Sequence, residues 1–286
     1  MPENAAVLAG KPIVQRIHEF YPKLPEGERK VADVLLAAPA DLAVRNAIEL
    51  ATQAEVSNAT VTRLFRRLGY ASFDEARQAA RVMRATGSPL FSGKASKPLG
   101  DPISELVHEE TVVIEATLSR VNPLVLRDIG SAIRTAPRIR TLGYRNSHFL
   151  SQYLTAQIAM MRPGVAPLLM PGQTESEGIS SLGPRDLAIV VAMRRRPAGF
   201  NRMVEAIATR GCKVLLLADE SIRGAPAHAT WTLDCVVETP QFADSYVGAL
   251  ALLRMIVVEA ERALGAAGHR HMEDVEDLRE RLGELE

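Results

Sequence analysis

The chain has 286 residues, of which 47% are hydrophobic and 24% are charged, and its 34 basic side chains balance its 34 acidic ones. This length favours two domains, and this composition is that of an ordinary globular protein rather than a disordered or fibrous one. A formal net charge of zero argues against a protein that binds nucleic acid over its whole surface, although it allows a local basic face. Two cysteines without metal-ligand spacing, no signal-peptide pattern and no apolar run long enough for a bilayer predict a soluble, cytoplasmic protein.

The amino-terminal part of the chain is predicted to be helical. Residues 1 to about 12 are predicted to form a loose tail, followed by helices over 13–21 and 26–38, the second of which ends at Pro39. A later helix is expected from residue 73 to about residue 86, with Ser72 as its N-cap. Together with the stretch between them, these segments predict a compact all-helical domain over 13–89.

Residues 46–70 contain two short helical patterns around a tight break. Apolar residues recur at the spacing of one buried helix face, first at Ala47, Leu50, Ala51 and Ala54, and then at Val61, Leu64, Phe65 and Leu68. Ser57 suits the N-cap of the second helix, and Gly69 suits its carboxyl end because glycine tolerates a positive φ. Two short helices joined by such a turn predict a helix-turn-helix, whose second helix lies in the major groove of DNA.

The second of these helices has polar side chains outside its apolar stripe. The residues predicted to contact DNA are Ser57, Asn58, Ala59, Thr60, Thr62, Arg63, Arg66 and Arg67. Small polar groups lie near the helix start, where base edges are reached, and the arginines that follow can bind phosphate or guanine. Six arginines stand against two carboxylates between residues 57 and 84, which supports a local basic face. The alternative is an amphipathic helical hairpin with a solvated basic face.

Three segments of this region form a specific pattern. They are ERKVADVLL at 28–36, ELATQAEVSNATVTRLFRRLGY at 49–70 and the helix start SFDE at 72–75. The pattern resembles the MurR/RpiR family of bacterial transcriptional regulators. The resemblance implies an RpiR-type helix-turn-helix domain followed by a SIS (sugar isomerase) domain. It also implies a double-stranded DNA operator, a small-molecule effector such as a sugar phosphate, and a homodimer or tetramer.

The pattern changes after the helical region. Residues 90–121 are predicted to be a linker, rich in Gly, Ser and Pro, and a connecting helix. Short apolar strands then alternate with helices, the strands being predicted at 138–142, 165–170, 187–192, 213–218 and 230–238. This alternation predicts a doubly wound α/β domain with a parallel sheet over 122–265, which the resemblance identifies as a SIS-like, dimerising domain. A charged tail follows at 266–286.

Ligands of such a sheet lie beyond the carboxyl ends of the strands, which makes two strand–helix junctions candidate effector sites. The first is LGYRNS at 142–147, where glycine permits a close turn and Ser147 heads a helix whose N–H groups favour an anion. It resembles the G-x-G-x-S phosphate loop of SIS domains, except that Arg145 replaces the second glycine. Gly143, Arg145, Asn146 and Ser147 are therefore candidate effector ligands. The alternative is an ordinary turn with an N-cap.

The second junction is VAMRRRPAG at 191–199. SIS domains that bind sugar phosphates have a loop here that resembles S-x-S-G-x-T, whose hydroxyls hold the phosphate. Arginines and a proline replace those hydroxyls, and arginine still binds anions by its charge and its bidentate geometry. Arg194 and Arg195 are therefore candidate ligands of an acidic effector. Ion pairs at the surface or between subunits are an equal alternative.

A few other polar or aromatic residues carry weaker indications. Glu175 or Ser176 follows the second strand and reaches the rim of the predicted pocket, although a solvated loop is favoured here. His148 fits the pocket and the surface equally well. Trp231, the single tryptophan, is predicted to lie in the core.

These observations support two functional hypotheses. The first is a ligand-responsive, DNA-binding transcriptional regulator whose SIS-like domain binds a small anionic metabolite and dimerises. The alternative is a SIS-class sugar-phosphate isomerase, which requires a positioned general base and a phosphate grip. Neither is evident in the sequence, and an isomerase has no use for the helix-turn-helix. We therefore predict no enzymatic activity, no catalytic residue, no metal and no cofactor.

Overall fold

The computed structural model of the protein describes residues 11–85, 100–239 and 243–284. These residues include two compact units, one holding 11–85 and the other holding 100–239 and 244–284. Most of the predicted tail at 1–12, part of the predicted linker at 90–121 and the last two residues of the predicted tail at 266–286 lie outside the described residues. No helix in the described part of the chain is both long and apolar enough to cross a membrane.

The first unit is helical where it is described. Its helices are α1 (Ile13–Phe20), α2 (Glu26–Ala37), α3 (Asp41–Val44), α4 (Ala47–Gln53), α5 (Asn58–Arg67) and α6 (Phe73–Ala85). A short 3-10 turn at Tyr21–Lys23 follows α1. All predicted helices of this region are present. The one-turn helix α3 is not predicted by the sequence, because four residues are too few for a periodic pattern.

Helices α4 and α5 form the helix-turn-helix, and local hydrogen bonds explain where they begin. Asn46 begins α4 with a capping box, in which its side chain accepts from the Glu49 N–H at 2.9 Å and the Glu49 carboxylate accepts from the Asn46 N–H at 2.8 Å. The Ser57 hydroxyl accepts from the Thr60 N–H at 3.3 Å, as predicted for the N-cap of α5. Gly69 has a φ of +83°, which confirms the expected left-handed residue after α5.

An apolar cluster joins the helices of the first unit. The inward faces of α4 and α5, together with the residue that caps each helix, contribute the predicted residues Leu50, Ala51, Ala54, Val61, Leu64, Phe65 and Leu68. The Phe65 ring is fully buried and packs edge-to-face on Tyr70 and Phe73, with centroid distances of 6.3 and 5.2 Å. This packing fixes one face of α5 against the core, so that the opposite face is presented to solvent.

The second unit alternates helices and strands. Its helices are α7 (Pro102–Leu118), α8 (Pro123–Thr135), α9 (Asn146–Ala159), α10 (Glu175–Ser180), α11 (Phe200–Ala208), α12 (Val247–Leu264) and α13 (Ala266–Leu282), with a 3-10 turn at Ala225–His228. Its strands are β1 (Ile139–Gly143), β2 (Val165–Pro167), β3 (Leu187–Ala192), β4 (Lys213–Asp219) and β5 (Trp231–Cys235). Within the described residues these strands form a parallel sheet in the order β2-β1-β3-β4-β5. The predicted doubly wound α/β fold is confirmed.

Helices cover both faces of this sheet, which explains why β3 is an unbroken apolar run. Alternate residues of β3 enter two apolar clusters: Leu187, Ile189 and Val191 pack with α8, α9 and α12, whereas Ala188, Val190 and Ala192 pack with α11. Trp231, predicted to lie in the core, is only partly buried because β5 is an edge strand of the sheet. The Lys213 ammonium lies 5.5 Å from the centre of its ring.

Two parts of the second unit differ from the predictions, and for a third the structure adds a helix on which the sequence analysis made no prediction. The strand predicted to reach residue 170 ends at Pro167, because Met170 already accepts from the Gln173 N–H in a turn. The segment predicted as a solvated loop forms α10, since Thr174 and Glu177 make a capping box at its start. The charged tail is helical over α13, where the His271 imidazole lies 3.3 Å from the carbonyl of Ala159.

The strand order places a topological switch beside β1. The chain goes from β1 to β2 on one side of it and then returns to β3 on the other side. In open parallel sheets, ligands bind beyond the carboxyl ends of the strands at such a point. The two junctions predicted to hold the effector follow β1 and β3, and therefore lie at the same crevice.

Candidate DNA-binding surface and effector site

The solvent-facing side of α5 carries most of the residues predicted to contact DNA. Ser57, Asn58 and Ala59 at its start, and Arg63 and Arg66 further along, are all exposed. Neither arginine pairs with a carboxylate in the described part of the chain. Two positive charges and several small polar groups therefore face solvent on one side of the helix.

Two predicted DNA contacts are less accessible than the sequence suggests. Thr60 is only 8% exposed, because it faces α2, where its Cγ2 would lie 3.2 Å from a Cβ on Gly27. Its hydroxyl accepts a hydrogen bond from Arg63 at 3.1 Å. Thr62 is half-buried, and its hydroxyl donates to a backbone carbonyl one turn earlier at 3.1 Å. Thr60 is therefore not on the exposed face to which the sequence assigns it, and it orients Arg63 instead.

Arg67, the last residue of α5, is held by an acid of α2. Its Nε and Nη2 lie 2.7 and 3.3 Å from the two carboxylate oxygens of Glu28. The Glu28 side chain is 4% exposed, whereas that of Arg67 is 42% exposed. The hydrogen bond to Glu28 raises the pKa of Arg67 above its ordinary value. Arg67 therefore anchors α5 on α2, and it offers DNA less charge than the sequence suggests.

The turn after β1 is built around Gly143. A Cβ at this position would lie 2.1 Å from the carbonyl oxygen of Ser147, so that any other residue requires the backbone to move. Arg145 has a φ of +55° and a ψ of −126°, a region that L-residues rarely adopt, and its side chain is exposed. Strain of this kind persists where the surrounding structure holds it, and it is frequent at binding sites.

Ser147 and Asn146 connect this turn to the rest of the crevice. Ser147 is buried, and its hydroxyl accepts from the Met193 N–H at 3.0 Å, which joins the turn to the end of β3. Asn146 is exposed, and its amide donates to the Tyr246 hydroxyl, beside the start of α12, at 3.2 Å. The structure thus brings the two predicted junctions together, but it engages the Ser147 hydroxyl within the protein.

Arg194 is surrounded by three carboxylates. Its Nη2 lies 2.6 Å from Glu238, its Nη1 3.2 Å from Asp244 and its Nε 3.6 Å from Asp219. The side chain is 11% exposed, and its Nε has no hydrogen-bond partner among the described residues. Burial lowers the pKa of Arg194, but the carboxylates together raise it above its ordinary value. Little of its charge is available to an anionic ligand.

The other two arginines of the loop differ from each other. Arg196 donates to Asp219 at 2.7 Å, to the Ala192 carbonyl at 2.8 Å and to the Ser221 hydroxyl at 2.8 Å. Arg195 has a φ of +65°, is exposed and forms no ion pair within the described ranges. Ion pairing, one of the two alternatives for this loop, therefore accounts for Arg194 and Arg196, although their partners lie within the same domain.

Tyr144 is a further residue at the rim of the crevice, which sequence analysis missed. Its hydroxyl donates to the Glu175 carboxylate at the start of α10, and burial followed by this hydrogen bond raises the pKa of Tyr144. Glu175 therefore lies at the rim, while Ser176 and His148 are exposed. Among the described residues, no group of three or more His, Cys, Asp and Glu side chains is arranged to hold a metal ion.

Glu28 and Asp219 also matter to these sites, and neither is evident as a functional residue in the sequence. Glu28 opens the ERKVADVLL segment, but its role depends on how α2 packs on α5. Asp219 ends an apolar strand, and a polar residue at the carboxyl end of a parallel strand is the signal that could have found it. Its side chain is 3% exposed and lies between Arg194 and Arg196.

Known proteins resemble this chain in both sequence and domain make-up. Residues 11–82 match the model of the helix-turn-helix domain of the rpiR family. YfhH of Escherichia coli, which is named an uncharacterized HTH-type transcriptional regulator, is 23% identical over 228 residues, which cover 76% of this chain and 80% of YfhH. The chain also matches bifunctional glk proteins of Burkholderia; it is 26% identical to that of Burkholderia thailandensis over 223 residues but spans only 33% of its length.

Solved structures with the same fold include two regulators. NanR of Vibrio vulnificus, complexed with ManNAc-6P, superposes with a TM-score of 0.58 at 17% identity, covering 94% of this chain and 98% of that one. The sugar isomerase domain of an RpiR transcription factor from Sphaerobacter thermophilus gives 0.57 at 19% identity, covering 62% and 98%. The predicted resemblance is confirmed: this chain has an rpiR-family helix-turn-helix domain and an α/β domain with the SIS fold.

Proposed function

Because the chain has the domain make-up of an RpiR-type transcriptional regulator, we propose that it binds operator DNA through α5 and responds to a small anionic metabolite bound by its α/β domain. The observation that carries the proposal is the exposed face of α5. It presents Ser57, Asn58 and Ala59 at the helix start, and Arg63 and Arg66, which pair with no carboxylate among the residues that the structure describes.

The start of α5 is the part that reaches base edges when such a helix enters the major groove. Asn58 is a candidate for a base contact because an amide can donate to and accept from one base. Arg63 and Arg66 follow at one-turn spacing and are suited to phosphate oxygens or to guanine. Thr62 is half-buried and Arg67 is paired, so both contribute less directly than Arg63 and Arg66.

We propose that the protein acts in the cytoplasm as a homodimer, or as a tetramer built from dimers. A dimer presents two copies of α5, so its operator would contain two half-sites about 34–36 Å apart or a multiple of that distance. The α/β domain supplies the contacts between copies. A metabolite that binds two arrangements of this dimer unequally changes the separation of the recognition helices, and thereby the affinity for DNA.

The proposed effector is a sugar phosphate or another small acid. The SIS fold and the ManNAc-6P complex of NanR favour a sugar phosphate. The ligand is proposed to lie in the crevice at the ends of β1 and β3, with Arg145 and Arg195, which are exposed and without ion pairs in the described ranges, at its rim. The walls of this crevice are formed by Gly143, Asn146, Ser147 and Arg194. Since Ser147 and Arg194 are engaged internally, they position the crevice more than they bind.

An isomerase role is not part of this proposal. Proton transfer between carbons of a sugar requires a base within hydrogen-bond reach of the substrate. Two acids at the crevice are engaged: Glu238 pairs with Arg194, and Glu175 accepts from Tyr144. We therefore assign no catalytic residue, metal or cofactor.

A two-step experiment on the full chain tests the proposal. A thermal-shift screen against sugar phosphates, sugar acids and other small carboxylates identifies binders, because a ligand specific for the native state raises the apparent melting temperature. Each binder is then added to the protein on duplexes enriched from genomic DNA. We expect at least one acid to change DNA affinity about 5-fold or more, which corresponds to a coupling energy of about 1 kcal/mol. DNA binding that no acid alters would contradict the sensing role but not the DNA-binding role.

A further inference from the structure

A second polar cavity lies beyond the ends of β3 and β4, on the side of β3 away from β1. Its volume is about 410 Å³, and its lining includes Arg196, Gly199, Asn201, Arg202, Ser221 and Arg223. Three of its eight lining residues are arginines, and none is acidic. A cavity of this size accommodates a small metabolite.

Two of the three arginines have no carboxylate partner within the described residues. Arg202 folds back towards the loop, so that its Nη2 would lie 3.4 Å from a Cβ on Gly199. Arg223 donates only to backbone carbonyls, those of Glu220 and Ile222, at 2.7 and 2.6 Å. Both side chains are exposed, and both line the cavity. The local charge is positive even though the whole chain is neutral.

The third arginine is fixed in place. Arg196 is 15% exposed and is clamped between Asp219 of β4 and the Ser221 hydroxyl. Its guanidinium therefore forms a rigid part of the wall, which lowers the entropy lost when a ligand is bound. The Asp219 carboxylate neutralises part of this charge, but it is 3% exposed and does not line the cavity.

The backbone at the floor of the cavity is also ordered by specific contacts. Gly199 has a φ of +85°, which allows the chain to turn into α11 without a side chain at the helix start. The Asn201 side chain accepts from the Ala225 N–H at 3.2 Å, which ties α11 to the segment after β4. The first N–H groups of an uncapped helix add to the positive potential that the arginines create.

The crevice at β1 and β3 offers an anion much less. Ser147 there is buried in a contact with the backbone of β3, and Arg194 is matched by Glu238, Asp244 and Asp219. We infer that the cavity between β3 and β4 is where the anionic group of the ligand, a phosphate or a carboxylate, is bound. Arg202 and Arg223 bind its oxygens, and Arg196 forms the wall behind them. This inference rests on the proposed function only in taking the ligand to be the effector.

Isothermal titration of the full chain with inorganic phosphate and with malonate tests the inference and separates the two anion chemistries. We expect wild type to bind at least one of the two anions. The R202Q/R223Q variant is expected to bind that anion at least about 10-fold more weakly, because it lacks the charge-assisted hydrogen bonds of the two arginines. R145Q/R195Q removes the two exposed arginines of the other crevice and is expected to lose less affinity than R202Q/R223Q. The matched control is R134Q, an exposed position on α8 outside both sites, which is expected to bind within about 2-fold of wild type.

Two outcomes would overturn the inference: binding of neither anion by wild type, or a loss in R145Q/R195Q with R202Q/R223Q unchanged. The replaced arginines are exposed and form no ion pair within the described part of the chain, and equal melting temperatures in anion-free buffer show that the variants fold alike. A shift of the Gly199 and Asn201 amide signals on adding phosphate provides a second, direct readout of the location. Operator binding measured separately distinguishes failure of this site from failure of the proposed function.

Discussion

Arg67 at the end of α5 donates to both carboxylate oxygens of Glu28 on α2, at 2.7 and 3.3 Å. The acid is almost completely buried, and the arginine is the partner that compensates its charge. The contact joins α2, which lies outside the helix-turn-helix, to the proposed recognition helix itself. Of the three arginines on α5, Arg67 is thus the structural one, which leaves Arg63 and Arg66 for DNA.

Replacing Arg67 by alanine is expected to destabilise the amino-terminal domain. The change leaves the Glu28 carboxylate buried without its partner, which is expected to cost about 1–3 kcal/mol of local unfolding free energy. Hydrogen exchange of the α5 amides measures this effect in the two-domain chain. Arg66→Ala is the matched control and is expected to stay within about 0.5 kcal/mol of wild type, since Arg66 is exposed and has no carboxylate partner in the described ranges. Equal exchange in the two variants would refute the anchoring role of Arg67.

Replacing Arg63 or Arg66 by alanine is expected to weaken DNA binding without unfolding the domain. If an arginine contacts phosphate, the slope of log affinity against log salt concentration falls in magnitude by about one, and affinity drops similarly on all sequences. If it contacts a base, the loss is about 1–3 kcal/mol and appears as relaxed specificity at one position. Fluorescence anisotropy at several salt concentrations separates the two cases. Arg134→Ala, at an exposed site on α8, is the control and is expected to bind DNA as wild type does. If Arg63→Ala and Arg66→Ala also bind DNA with wild-type affinity, the assignment of this face of α5 to DNA binding is wrong.

The Arg138–Asp186 pair predicts a loss of stability in acid. Burial opposes ionisation of Asp186, but Arg138 at 2.7 and 3.1 Å and the Gly183 N–H at 2.8 Å hold its pKa below the ordinary value. A depressed pKa gives stability that is present above the unfolded-state pKa of about 3.9 and is lost as pH falls through the folded-state value. Asp186→Asn is therefore expected to be less stable than wild type at pH 7, with the gap closing below about pH 4.

Urea denaturation followed by Trp231 fluorescence reports on this domain, because Trp231 is the single tryptophan and lies in β5. A gap between Asp186→Asn and wild type that stays constant from pH 7 to pH 3 would show that the pair does not stabilise the fold through its charge.

Asp244 predicts the opposite pH dependence. Burial, followed by the nearby carboxylates of Asp219 and Glu238, raises the pKa of Asp244, although Arg194 partly offsets them. A raised pKa gives stability that is complete below the unfolded-state pKa and is lost as pH rises through the folded-state value. Asp244→Asn is therefore expected to gain stability relative to wild type as pH rises from 4 to 7. The same urea experiment checks this, and a relative loss of stability over that range would contradict it.

Local features of the fold could be predicted from the sequence because their causes are local. Ser57 and Gly69 mark the ends of α5 through hydrogen bonding and backbone freedom that belong to those residues. The apolar run of β3 is explained by burial on both faces. Side-chain partners that are distant in the chain could not be predicted: Arg67 meets Glu28 across 39 positions, and Arg194 meets Glu238 across 44. The orientation of Thr60 depends likewise on the packing of α2.

The candidate ligand site shows the same division. The alternation of strands and helices predicts that both junctions lie at the carboxyl ends of parallel strands, but the strand order that brings them to one crevice is seen only in the fold. Which of their arginines are neutralised depends on carboxylates at the end of β4 and after β5, and no spacing rule connects these to residues 194–196. The cavity formed by Arg202 and Arg223 requires the loop after β4 to lie beside the start of α11, which only the fold shows.

DNA recognition by α5 is tested most directly by sequencing the genomic fragments that the purified full chain retains. The genome is that of the organism that encodes the chain, and the R63A/R66A variant is run in parallel under the same salt conditions. We predict that wild type enriches one sequence containing two related half-sites, and that this enrichment falls at least about 10-fold in the variant. Retention of DNA without any enriched sequence, or equal enrichment by both proteins, would contradict recognition through this face of α5.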